Sequence, residues 1–325
     1  MLAPTLDSAI PPDEEAPNLP LPPGTIVGSY RLLEVLGEGG MGIVYVAEHL
    51  KLGRRVALKM LRSEWIGNAV IARRFFAEAR AVNRVSHDHV VQITDLIEDL
   101  PSGICCIVME LLEGRTLLDV LESDGVMALP RAAAIAEQIA SALQAVHDGG
   151  IVHRDLKPEN VFLVANAAHR DFVKVLDFGI ARLMGPPESR APGITLAGAV
   201  LGTPEYMSPE QASGESVDHR TDIYAFGVIL YRLVTGRLPF IGKSFSDFVI
   251  QHASVTPTPT RKLPNLPHAI PPALDELILQ CLAKDPALRP SRIGDLGDRL
   301  RALATERGWT TVDGGGAQAT ITTPA

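Results

Sequence analysis

The chain has 325 residues, 46% hydrophobic and 21% charged, enough for one large or two modest domains at roughly 100 to 200 residues each, which excludes a stapled mini-protein and a globally disordered chain. Its 30 Lys and Arg against 38 Asp and Glu give a formal net charge of −8, which argues against a nucleic-acid or anionic-membrane binder and leaves only a local basic groove open. Cys105, Cys106 and Cys281 fit neither a zinc site nor a disulfide framework, and neither a secretory signal nor a stretch of about 18 apolar residues is present, so a soluble protein of a reducing cytosol is expected.

Residues 1–28 hold seven prolines with Asp13, Glu14 and Glu15 and read as a disordered leader. Pro17 and Pro20 have the spacing of a polyproline docking motif, a weaker account than a plain spacer. Strand-like runs follow at 30–36, 43–48, 55–60, 90–97 and 104–110. One helix over 69–85 interrupts them, because Ile71, Phe75, Phe76, Ala79 and Val82 recur at three and four and mark a single apolar face. From Leu117 helical patterns dominate, at 130–147, 218–235, 272–283 and 293–306, with Pro130 in a tolerated first-turn position and Gly149 and Gly150 as a stop. No internal repeat is present, and 308–325 reads as a flexible tail. The expected organisation is leader 1–28, a β-rich part 29–112, a helical part 113–307 and the tail.

The run Gly37-Glu38-Gly39-Gly40-Met41-Gly42 satisfies the pattern glycine, any, glycine, any two, glycine. Such glycines let backbone amides approach phosphate oxygens, a need shared by dinucleotide sites, where a helix follows, and by kinase loops, where a strand follows. Here Ile43 to Ala47 and then Val56, Ala57, Leu58 and Lys59 are strand formers, so strand, turn, strand is favoured, with a plain hairpin tip as the bland alternative. Lys59 is a lone charge ending an apolar strand. Its stem can snorkel to solvent, or its ammonium can meet phosphates under the hold of Glu78, nineteen residues on in the amphipathic helix.

Further on stand His153, Arg154, Asp155, Leu156, Lys157, Pro158, Glu159 and Asn160, then Asp177, Phe178 and Gly179. Gly202, Thr203, Pro204, Glu205, Tyr206, Met207, Ser208, Pro209 and Glu210 follow, with Asp222, Gly227 and Arg289 beyond. With the glycine run and Lys59 these keep the order of the protein kinase family, which the chain resembles from about Tyr30 to Glu306. The joint spacing makes isolated turn aspartates a poor account of Asp155 and Asp177. The resemblance implies an α+β, two-lobed kinase fold with a small β-rich lobe, one key helix, a hinge near 110–113 and a larger helical lobe. It also implies ATP with magnesium, manganese being the alternative ion.

Phosphoryl transfer needs a group that orients the attacking hydroxyl and accepts its proton, the role the resemblance gives Asp155, while Lys157 would neutralise the moving phosphoryl. Asn160 and Asp177 offer oxygens suited to a hard cation. The implied nucleotide set is Leu36, Gly37, Glu38, Gly39, Gly40, Met41, Gly42, Val44, Ala57, Lys59 with Glu78, and Asp177. Met109 is implied at the back of the adenine pocket, Glu110, Leu111 and Leu112 as the hinge, and Phe162 beneath the base. Gly179 would free the activation segment to swing and Phe178 would pack beneath the site. Glu210 is expected to pair with Arg289, and Asp222 to tie a helix to the catalytic loop. Lys157 and Thr203 resemble serine/threonine rather than tyrosine kinases. Gly40, Met41 and the run Ser208-Pro209-Glu210-Gln211 resemble the bacterial branch.

Some positions depart from the family pattern. Arg154, with Arg74 and Arg182, is expected to clasp a phosphorylated residue, yet the first hydroxyl upstream of Thr203 is Thr195, eight positions away, and Ala197 and Ala199 replace the usual threonines. Ser189, Thr195 and Thr203 are the candidates, against an unregulated loop whose arginines form solvated pairs. Phe162 replaces an aliphatic residue, and 165–171 make a long turn before Asp177. Thr310, Thr311, Thr320, Thr322 and Thr323 are tail phosphosite candidates or an inert tail. Two rival functions are a pseudokinase scaffold, opposed by the presence of Lys59, Asp155, Asn160 and Asp177, and a small-molecule kinase, opposed by the segment 202–210. Expected partners are protein substrates, with no nucleic acid. Without a span or sensor domain in the sequence, the activating signal is expected from a cytosolic partner or a homodimer through the small lobe, in a cytoplasmic location.

Overall fold

A computed structural model describes residues 20–40, 42–62, 65, 68–99, 103–165, 171–178 and 203–309. The expectations resting on Met41, Gly179, Arg182, Ser189, Thr195, Ala197, Ala199, Gly202 and the tail threonines lie outside the described residues. The described residues fall into two compact units, one of 20–86 and 91–112, the other of 87–90 and 113–309.

In the first unit, β-branched and aromatic runs form one antiparallel sheet in the order β1-β2-β3-β4-β6-β5. Its strands are β1 Ile26–Val27, β2 Tyr30–Glu38, β3 Gly42–His49, β4 Arg55–Leu61, β5 Ile93–Asp99 and β6 Ile104–Glu110. Period-two alternation sorts their side chains onto two faces. Tyr30, Leu32, Tyr45, Leu58, Cys106 and Val108 build one cluster. Leu61, Cys105 and Ile107 build the other, on which helix α1 (Ala69–Val82) lays Ile71, Phe75, Phe76 and Ala79. Neighbouring Cys105 and Cys106 thus enter different clusters, and burial pushes the Cys105 thiol up to about 11.

Asn68 starts α1 by accepting from the Val70 and Ile71 amides at 3.0 and 3.3 Å, a cap worth about 1 kcal/mol. The helix ends at Val82 rather than 85, because Arg84 and Val85 turn back three residues to Ala81 and Val82. The leader boundary also moves: residues 20–28 belong to the sheet unit. Leu21 N–H donates to the Tyr45 hydroxyl at 2.8 Å, Gly24 N–H donates to Leu32 O at 2.7 Å, and β1 pairs with Tyr30 and Arg31. Proline content hid this, since the segment is ordered by a short pairing with the start of β2 and by one longer reach from Leu21 to Tyr45. The strand expected at 90–97 begins instead at Ile93, and Val90 makes an isolated parallel bridge to Val175 in the second unit.

The second unit holds a small antiparallel sheet, β7 Gly114–Thr116, β8 Val161–Val164 and β9 Phe172–Val175, and seven helices among the described residues. These are α2 Leu117–Asp124, α3 Leu129–Asp148, α4 Pro209–Ala212, α5 Arg220–Thr235, α6 Phe245–Ser254, α7 Pro272–Cys281 and α8 Ile293–Glu306. Thr116 and Asp119 close a reciprocal capping box at the start of α2. Helix α5 is buried along nearly its whole length, as a helix apolar on every side must be. Gly227 in α5 permits the approach of α7, for a Cβ there would stand 2.5 Å from that of Cys281. Among the described residues no helix is long and apolar enough to cross a membrane.

Candidate active site

The glycine run is the turn between β2 and β3, as the strand-turn-strand context predicts. Gly39 N–H closes its tip on Gly42 O at 2.9 Å. A Cβ on Gly42 would collide with the carbonyl oxygen of Met60, so β3 meets the end of β4 only through a glycine. From just past β4, Arg62 donates Nε–H to Gly39 O at 3.0 Å and Nη2–H to the Glu38 carboxylate at 3.2 Å, and the Trp65 indole N–H donates to Gly40 O at 3.3 Å.

Lys59 lies directly opposite Val44 on β3 and Ile107 on β6, and Ala57 lies opposite Met109. Directly paired residues share a face. Lys59, Val44, Ala57 and Met109 therefore lie on the side of the sheet covered by α1, the helix that carries Glu78. Leu36 is exposed near the end of β2. At the end of β6, Glu110 N–H donates to Gln92 O at 3.0 Å while its carboxylate accepts from the Gln92 amide at 2.8 Å, fixing the start of the expected hinge.

In the second unit the run from His153 to Asn160 folds around a buried carboxylate. Asp222 of α5 accepts from the amides of His153 and Arg154, each at 2.8 Å, and its Oδ2 also meets His147 Nε2 at 2.8 Å. That grip holds Arg154 at φ 64, a left-handed conformation uncommon outside glycine. Fully buried His153 accepts the Asp155 amide at Nδ1 (3.3 Å) and donates from Nε2 to Leu176 O (2.9 Å), which sets its tautomer and joins the catalytic loop to the strand end before Asp177. Its ring packs 4.8 Å from that of Phe178.

The Asp155 carboxylate has two close neighbours from its own loop. Lys157 Nζ lies 3.2 Å from Oδ2, and Asn160 Nδ2 donates to Oδ2 at 3.2 Å and to the Asp155 carbonyl at 2.8 Å. Leu176 N–H donates to Asn160 O at 2.8 Å, so the residue before Asp177 is bonded to Asn160. Asp177 has φ 46, again left-handed. Asp155, Lys157, Asn160 and Asp177 thus share one hydrogen-bonded frame of the second unit.

Residues 30–298 match the protein kinase domain. The chain belongs to the protein kinase family. Among its relatives, the serine/threonine-protein kinase pkn2 of Myxococcus xanthus is 46% identical over 285 residues, 87% of this chain and 33% of that protein. PrkC of Bacillus subtilis (strain 168), also a serine/threonine-protein kinase, is 39% identical over 272 residues, 83% of this chain and 40% of that protein. The crystal structure of the M. tuberculosis PknI kinase domain superposes with a TM-score of 0.66 at 25% identity, covering 88% of this chain and all of that one. The kinase spans 33%, 51% and 39% of three Myxococcus relatives, about a third to a half of their length.

On the expected acceptor side of the kinase, Thr203 opens a 3₁₀ turn over Pro204–Tyr206. Tyr206 OH accepts from Arg232 at 2.7 Å, and burial pushes this phenol up to about 12 against the pull of that cation. Ser208 caps α4 and shares a buried 2.6 Å hydrogen bond with Thr221 of α5. Gln211 reaches back from α4 to donate to the Arg154 carbonyl at 2.9 Å. Glu210 and Arg289 form the expected buried pair, in bidentate geometry at 2.7 and 2.8 Å. Helix α6 packs against the Pro204–Tyr206 turn and carries fully buried His252, whose Nδ1 meets Tyr224 OH at 2.9 Å. Burial first, then the charge of Lys284, pushes His252 down to about 4.

Several kinase contacts have no counterpart in the sequence reading. Arg62, Trp65, His147, Gln211 and Arg232 each act across 23 to 75 positions of chain. Arg131 clamps Asp171 with two bonds of 2.8 Å, anchoring the residue before β9 to α3. Phe162 lies on β8 beside Gly114, where a side chain would meet both the Leu163 carbonyl and the Phe162 ring.

Proposed function

We propose that this chain transfers the γ-phosphoryl group of ATP to serine or threonine hydroxyls of proteins, its own included. The observation that carries this reading is the Asp155 carboxylate, held beside Lys157 and Asn160 in a loop whose backbone hangs from buried Asp222. A carboxylate so positioned orients a substrate hydroxyl and takes its proton at Oδ as the phosphoryl moves. Lys157, at 3.2 Å, lies close enough to offset the negative charge on that phosphoryl. In the first unit, Gly37 to Gly42 and Lys59 would hold the nucleotide phosphates, and Ala57, Met109, Glu110 and Leu112 the adenine.

The residues fit a hard divalent ion. Nδ2 of Asn160 carries both contacts to Asp155, so the amide oxygen is the atom that side chain would offer, and the Asp177 carboxylate would be the second oxygen donor. Bound magnesium would screen the charge of the β- and γ-phosphates. The same reading takes in a cytoplasmic location and a homodimer through the small lobe, which sizing in solution rejects if the protein stays a strict monomer at high concentration.

The direct test is intact mass and phosphosite mapping after incubation with magnesium ATP, beside an Asp155→Asn control. Phosphate on serine or threonine in the wild type alone is the expected result. No transfer to the chain or to a generic protein substrate, with nucleotide bound, overturns the reading in favour of a scaffold or a metabolite kinase. Mapping also decides among Ser189, Thr195 and Thr203.

A further inference from the structure

Among the described residues, the glycines at the tip of the glycine loop have open space beside them. A Cβ built on Gly37 or Gly40 meets nothing within 4 Å, and one on Gly39 meets only Gly42 O at 3.9 Å. Hydrogen bonds hold the described residues of this tip. Beyond the Gly39 to Gly42 closure, the bonds come from Arg62 to Gly39 O and Glu38 and from Trp65 to Gly40 O.

The donors reach the loop through its carbonyls, and this has a directional effect. In a trans peptide the carbonyl and the following N–H point opposite ways in one plane. Fixing Gly39 O on Arg62 at 3.0 Å therefore fixes the direction of Gly40 N–H, a donor of the kind that binds phosphate. Arg62 also lies 3.2 Å from the Glu38 carboxylate, an anion that would otherwise repel a triphosphate at the same loop. The holding segment is anchored in turn: Trp65 N–H donates to Arg62 O at 3.0 Å, Asn68 N–H donates to Trp65 O at 3.2 Å, and the indole packs on the cluster of Leu61, Ile71 and Phe75.

We propose that Arg62 and Trp65 are positioning residues for the nucleotide phosphates, a latch that pre-orders the glycine loop from its carbonyl side and neutralises Glu38. The inference rests on the kinase reading. A loop ordered in advance loses less conformational freedom when a ligand arrives. The latch thus acts on phosphate binding and leaves recognition of the base alone.

The test is calorimetric titration of the full chain with magnesium ATP and, separately, with adenosine. Arg62→Ala should weaken ATP binding about tenfold while adenosine stays within about twofold, the scale of one lost charge-assisted contact. Trp65→Phe, which keeps the packing and deletes one neutral donor, should cost about threefold for ATP alone. Unchanged ATP affinity in Arg62→Ala, or equal losses for ATP and adenosine, overturns the latch. A folded wild type that does not bind ATP removes the kinase reading and the latch with it, an outcome distinct from wild-type binding that the variants leave unaltered.

Discussion

Asn160 donates through a single amide nitrogen to both the carbonyl and the carboxylate of Asp155, at 2.8 and 3.2 Å. One side chain thereby fixes the position of the proposed base and leaves its amide oxygen as the atom for the proposed cation. Asn160→Ala removes both functions, and the autophosphorylation rate should fall by about two orders of magnitude or more. A rate within a few-fold of wild type at saturating magnesium ATP contradicts the assignment.

The Glu210 and Arg289 pair has its guanidinium fully used, with Nε on Ala283 O, Nη1 also on Arg220 O and Nη2 also on Lys284 O at 2.8, 2.9 and 3.1 Å. Glu210→Ala leaves that cation buried without its counter-ion, a loss of about 3 to 5 kcal/mol for a broken buried pair. Urea unfolding of the two proteins measures it, and a difference under about 1 kcal/mol counts against a structural role.

Gly42 and Gly40 separate steric need from mere presence in a motif. A methyl on Gly42 meets the Met60 carbonyl, whereas one on Gly40 meets open space. Gly42→Ala is expected to cost about 1 to 3 kcal/mol of stability, the range for overpacking. Gly40→Ala should stay within about 0.5 kcal/mol. Thermal melts of the pair show the contrast, and equal shifts refute it.

His252 makes the fold sensitive to acid. Tyr224, Phe240, Phe248 and Lys284 surround it, and its folded pKa of about 4 lies below the ordinary value of 6.5. The unfolded chain therefore binds the extra proton first, so this stabilisation is complete above pH 6.5 and is lost as pH falls from there through about 4, on the order of 3 kcal/mol. Denaturation curves between pH 7 and 4.5 should show a steeper loss of stability in wild type than in His252→Gln, where half-buried His89 still contributes. Parallel curves would falsify the assignment.

The long strands and helices were legible because each carries enough turns or alternations for its period to show: helix 293–306 is found at its expected limits, and the strand expected over 43–48 runs one residue longer at each end, Gly42–His49. Strands β7 to β9 were not, since three or four residues carry no period and owe their pairing to partners such as Arg115 opposite Leu163. The same divide runs through the site. Asp155, Lys157 and Asn160 announce themselves by proximity in sequence. His147, Gln211, Arg62 and Trp65 are ordinary residues in the linear chain and gain meaning only when the fold delivers them to a carbonyl or carboxylate.

The three cysteines make the protein a reporter of its own breathing. Cys105 and Cys106 lie in the sheet unit and Cys281 in the helical one, all buried. An alkylating reagent attacks only thiolates, so each sulfur reacts only when its surroundings open. Peptide mapping after timed exposure would then read the opening of the two units side by side, in the unmodified wild type and within a single sample.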